Sequence, residues 1–107
     1  MALSFTMKKG DTAPALRYRL EPSTIDLTGA TVVFNMKASG GTAVVTRGAA
    51  VIVTATKTPT VEYQWSAGDT ATSGTYNAEF EVTYSDGTIE TFPRSGYIAG
   101  TIGDDLG

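Results

Sequence analysis

Glu79 and Glu81 stand two residues apart in the run TYNAEFEVTY. In an extended chain that spacing puts both carboxylates on one face, about 7 Å apart, which overlaps the separation of glycosidase acid pairs. The run alternates strictly, however. Tyr76, Ala78, Phe80, Val82 and Tyr84 share one face, and Thr75, Asn77, Glu79, Glu81 and Thr83 share the other. A Thr/Glu outer face is the ordinary solubilising side of a strand buried on its other side, so the pair reads as decoration. Asp104 and Asp105, with Asp69 or Asp86, are the candidate calcium ligands. Calcium needs six or more converging oxygens, and no calcium-loop spacing is present. Lys8 and Lys9 flank a turn with nothing to tie either to a particular hydroxyl, and Gly40-Gly41 is a hairpin tip with no helix after it to form a phosphate cradle.

The chain has no histidine and no cysteine. That removes the commonest general base, the thiol nucleophile, thiolate metal sites and disulfides. The expectation is a protein with no catalysis, no metal and no cofactor. A formal net charge of −3 argues against nucleic acid as its partner. The apolar run in MALSFTMKKG is too short for a secretion signal and its charges follow the run, and no stretch reaches the length of a membrane span. Synthesis in a cytoplasm, with no signal peptide and no membrane partner, is expected.

What must position these residues is a set of short strands. The 107 residues suffice for one core, and 41% are apolar against 18% charged. Thr, Val, Tyr and Phe fit a pleated surface. Strand signals run from Leu3 to Met7, through ALRYRLE, ATVVFNMKA, AVVTRGAAVIVTA (two short strands, or one broken at Gly48), VEYQW, the run through Phe80, TIETF and YIAGTI. Turn signals separate them: DLTG at Asp26, SGG at Ser39 and SDG at Ser85, where Asp-Gly supplies positive φ angles. Pro93 marks an edge or the end of pairing. Seven or eight mostly antiparallel strands and no helical periodicity predict an all-β, immunoglobulin-like sandwich over residues 1–103, without a disulfide, and a short polar tail over 104–107.

The polar stretch GDTATSGTYNA fits that architecture. In immunoglobulin-type sandwiches a tyrosine near the start of a late strand folds its hydroxyl back onto the upstream turn, with a cysteine two residues later. Here Asp69, Gly74 and Tyr76 stand in that order, with Ala78 at the cysteine's place. Trp65, Phe34, Phe80 and Tyr84 are expected in one buried cluster. Phe92 and Tyr97 are the aromatics that a sugar-binding surface would use if they were exposed. Trp65 precedes the corner rather than lying on an early strand, a departure from antibody topology.

Charge is uneven: residues 1–57 carry a net +4 and residues 58–107 a net −7. Early and late strands pairing across the sheets would cancel most of this. The remainder, with Lys8, Lys9, Asp104 and Asp105 as the interface candidates, could orient head-to-tail stacking of copies.

The segments KKGDTAPALRYRLE, IDLTGATVVFNMKA, YQWSAGDTATSGTYNAEFEVTYSDG and IETFP together resemble the N-terminal immunoglobulin-like domain of the phage baseplate upper protein. The resemblance spans roughly Lys8 to Ile102. It implies a non-enzymatic, multi-copy virion component of a tailed phage that assembles with other virion proteins. A tail or baseplate subunit or adaptor comes first. Capsid decoration or a head spike, and a carbohydrate- or receptor-binding module for adsorption, are the alternatives. The sequence stops where the resembling domain stops, which favours a stand-alone copy over an adaptor carrying a second module.

Overall fold

The computed structural model describes residues 4–104 and 106, and they form eight strands with no helix. These are β1 (Ser4–Lys8), β2 (Leu16–Arg19), β3 (Thr31–Ala38), β4 (Ala43–Thr54), β5 (Thr60–Tyr63), β6 (Gly74–Thr83), β7 (Ile89–Phe92) and β8 (Ile98–Gly103). The hydrogen-bonded path runs β1-β8-β6-β3-β4-β5-β2, with β7 beside β6. The larger sheet holds β1, β8, β7, β6, β3 and the first half of β4; the smaller holds the second half of β4 with β5 and β2. This is the immunoglobulin-like sandwich expected from the strand spacing, close to a barrel because β4 belongs to both sheets.

Local chemistry sets these elements. β3 buries Val32, Phe34 and Met36, and β6 buries Tyr76, Ala78, Phe80 and Val82. Register pairs Phe34 with Phe80 and Met36 with Ala78, so the two inner faces match residue for residue. Two hairpin loops share one geometry. Gly41 N–H donates to the Ala38 carbonyl and Ala38 N–H to Thr42; Gly87 N–H donates to the Tyr84 carbonyl and Tyr84 N–H to Thr88. Each loop is a tight turn closed by a glycine at positive φ, 107° at Gly41 and 90° at Gly87, a region other side chains adopt only with strain. Asp86 does not share the positive φ expected of the Asp-Gly pair. Its carboxylate instead accepts from the hydroxyl and N–H of Thr88, which holds its pKa below the ordinary carboxylate value.

Other expectations change. β4 is continuous through Gly48, but the chain departs from regular pairing there: Arg47 has φ 52°, and the register with β3 shifts between Phe34 and Met36 and again before Lys37. The strand bends instead of ending. β5 stops at Tyr63, and Trp65 enters the core from the segment that follows it. β6 stops at Thr83, where the hairpin turn begins, so Tyr84 lies half-buried at the rim of the core rather than inside it. Its hydroxyl reaches Glu90 at 2.8 Å. The first strand covers Ser4 to Lys8; Leu3 lies outside the described residues.

The core centres on Phe34. Its ring stacks on Tyr63 at 4.4 Å between centroids, tilts against Phe80 at 5.0 Å and meets Trp65 edge-on at 5.7 Å. Phe80 in turn stacks on Tyr18 at 6.0 Å, joining the two sheets. Such aromatic pairs contribute about 0.5–1.5 kcal/mol each beyond area burial.

β1 is paired with β8 in parallel, Ser4 opposite Ala99 and Lys8 opposite Gly103. The Phe5 ring lies directly on Gly100, where a Cβ would overlap it, and packs against Trp65 at 5.3 Å. β7 and β8 are collinear. β7 faces Phe80–Thr83 and β8 faces Gly74–Ala78, and Pro93–Tyr97 bulge out between them opposite Glu79.

Candidate functional site

The polar corner between β5 and β6 is a hydrogen-bonded knot. Asp69 Oδ2 accepts from the Tyr63 hydroxyl at 2.7 Å and from the Ser66 N–H at 2.8 Å. Burial first, and then the Asp69 carboxylate, push the Tyr63 hydroxyl up to about 12. Thr70 is 1% exposed; its hydroxyl donates to the Asp11 carbonyl and its own carbonyl accepts from Gly10 N–H. Gln64 donates to the Thr12 carbonyl at 2.8 Å. The corner therefore also grips the β1–β2 connection. The Tyr76 hydroxyl donates to the Thr72 carbonyl, and Gly74 opens β6 opposite Ile102. These polar groups thus have structural partners, whereas the buried Trp65 indole N–H beside them has none among the described residues.

Three of the five ion pairs among the described residues follow the pairing that the sequence suggested, while Arg19–Glu21 and Arg94–Glu90 each stay within one half of the chain. Arg17 on β2 meets Glu62 on β5 at 2.6 Å, and Arg47 on β4 meets Glu81 on β6 at 2.8 Å. Both join a basic residue of the first half to an acidic residue of the second. Lys9 and Asp104 complete the set at 4.0 Å, because β1 and β8 end side by side and the Lys9 N–H bonds the Gly103 carbonyl. Exposed pairs of this kind contribute little, about 0–1 kcal/mol each. Lys8 is exposed on the same strand end; Asp105 lies outside the described residues.

The structure separates most of the residues the sequence offered for chemistry. Glu81 is held by Arg47, while Glu79 beside it faces a surface cleft. Asp69 lies at the corner where β6 starts and Asp86 at the hairpin beyond its end, so they cannot share an ion. Among the described residues no three acidic side chains converge as a metal site. Phe92 is 1% exposed and belongs to the core, because β7 turns it inward opposite Phe80. It offers no platform to a ligand. Tyr97, 53% exposed on the Pro93–Tyr97 bulge, does.

The sequence reading passed over a stripe on β4. Val51 and Val53 point outward at 58% and 40% exposure, with Ala49 exposed on the same side. The signal was the run AAVIV, apolar on both faces, where a solvated strand would alternate. The outer side of β4 thus presents a short apolar stripe.

The strand order and the paired inner faces define an immunoglobulin-like all-β domain. The chain belongs to the family of the BppU N-terminal domain, whose model matches residues 21–92, from just after β2 through β7. No curated protein matches the sequence. The family is a phage baseplate structural domain, and the chain is accordingly a structural component of a phage baseplate or tail.

Proposed function

We propose that the chain is a non-enzymatic subunit of a tailed-phage tail or baseplate, present in several copies and docked to other virion proteins through the outer side of β4. The family match over residues 21–92 carries the reading, and the Ala49, Val51, Val53 stripe supports it. Apolar residues at the centre of a contact supply affinity, and charges at its rim set orientation. Lys8, Lys9 and Asp104 stand together at one end of β1 and β8, the opposite end of the larger sheet from Val51, and so would orient a separate contact.

The test is the structure of the particle together with two variants. Each copy should bury at least about 800 Å² against its neighbours, one side of a standard interface, and Val51 should be covered. Val51→Lys and Val53→Lys should leave the isolated domain folded, since both side chains are already exposed, and should block its incorporation into particles. Burial well under that area, a position on the head, or normal incorporation of both variants would each overturn the proposal.

A further inference from the structure

The larger sheet breaks register in three places, and all three border one cleft. Two are the shifts in β4 opposite Asn35 and Met36; the third is the Pro93–Tyr97 bulge between β7 and β8. The cleft between them has a volume of about 260 Å³, near the lower end of small-ligand sites, roughly 300–1,000 Å³. Its floor is four polar side chains on two paired strands: Asn35 opposite Glu79 and Lys37 opposite Asn77. Thr46 stands on one wall and Tyr97 on the other. Bulges re-aim side chains and gather beside binding sites. Here they lift two walls from an otherwise flat sheet.

Asn35 is held without being consumed. Asn35 Oδ1 accepts from the Arg47 N–H at 2.7 Å, which fixes the side chain and leaves its NH₂ to donate. Lys37 and Glu79 are diagonal neighbours, yet neither joins an ion pair among the described residues, although Arg47 and Glu81 just beside them do. The cleft thus offers an ammonium, amide donors and acceptors and a carboxylate of cancelling charge, beside an exposed aromatic ring. β3 and β6 are interior strands with both edges paired, so the floor has no free backbone to add a peptide strand.

A sugar ring matches this set, with hydroxyl groups that donate and accept around its rim and a C–H face that stacks on an aromatic ring. We propose that the cleft binds a neutral saccharide unit, with Tyr97 as the stacking platform and Asn35, Lys37, Asn77 and Glu79 bonding its hydroxyl groups. This is a binding activity additional to the assembly role and independent of it.

The full chain, isotopically labelled, is titrated with glucose, galactose, rhamnose and N-acetylglucosamine and, for comparison, with glucuronic acid and glucose 1-phosphate. At least one neutral sugar should shift the side-chain amides of Asn35 and Asn77 and the Tyr97 ring together, and the charged sugars should bind more weakly. Tyr97→Ala should weaken binding about ten-fold, near the upper end of one aromatic contact, while Tyr97→Phe keeps it. The same spectra report whether each variant is folded. Tyr97→Ala should still enter particles, which separates this proposal from the assembly reading. The proposal is overturned if no neutral sugar moves those signals, if the shifts fall elsewhere, or if Tyr97→Ala binds as well as the parent. Loss of Tyr97→Ala from particles would instead mark the cleft as a protein contact.

Discussion

Tyr63 donates its hydroxyl to Asp69 across the corner that follows β5, and the same carboxylate oxygen caps Ser66. One side chain thereby ties the core aromatic that stacks on Phe34 to the loop that grips the β1–β2 connection. Because the native hydroxyl is pushed up to about 12 from an ordinary value of 10.0, the folded state holds its proton where the unfolded chain releases it. The Tyr63 contribution to stability is then complete below pH 10 and is lost between about pH 10 and 12. Tyr84, also pushed up to about 12, and Tyr18, raised by burial, add to the same alkaline loss, so Tyr63→Phe should remove only its own part of that slope and cost about 1 kcal/mol near neutrality. Urea titrations at several alkaline pH values read both effects, and an unchanged slope in the variant would assign the loss to other groups.

Tyr76→Phe isolates the second bond of the corner. Only the donation to the Thr72 carbonyl is lost, since the ring itself stays buried at 4% exposure. The expected cost is about 1 kcal/mol, read from the shift in denaturation midpoint. A cost near zero would mean that water replaces the hydroxyl without penalty.

Gly100→Ala should dislodge β1. The added methyl group overlaps the Phe5 ring, and β8 is the strand to which β1 is paired. Amide exchange should accelerate along Ser4–Lys8 and stay slow in β3 and β6. Uniform acceleration would show that β1 and the core open together.

Phe80 lies fully buried between Phe34 and Tyr18. Phe80→Ala should cost about 3–5 kcal/mol, a large part of an ordinary domain's stability. A thermal melt that moves by only a degree or two would contradict this packing.

Alternation made β6 readable in advance, because ten residues of period two leave one choice of inner face. The hairpins at Ser39 and Ser85 were readable because turn chemistry is local, and Pro93 correctly marked where pairing stops. Non-local features were not readable. Nothing in SFTMK states that it will lie parallel to the last strand, and nothing in ETFPRSGYIAG states that two strands will share one side of β6 around a bulge. Tyr84 continues the inward period of β6, but the turn that begins there lifts it to the rim. Trp65 also keeps the period, although its strand has already ended. The cleft beside Tyr97 escaped notice for the same reason: register shifts in two separate strand pairs build it, and neither leaves a local pattern. Ion pairs between the two halves were foreseeable from charge asymmetry, whereas their particular partners required the topology, and Arg19–Glu21 and Arg94–Glu90 are local pairs that the asymmetry does not explain.

The parallel pairing of β1 with β8 has a mechanical consequence. The chain enters β1 at Ser4 and leaves β8 at Gly103, at opposite ends of the paired segment. Tension applied between those points drags the two strands past each other along their length. Every hydrogen bond joining them is then loaded in shear at once, whereas pulling apart a hairpin such as β6–β7 from its open end breaks bonds one after another. Stretched between residues 4 and 103 in a force spectrometer, the domain should yield at higher force than when unzipped through that hairpin. Equal forces would show that the terminal pair bears no load. The domain's strongest direction therefore runs along its terminal strands.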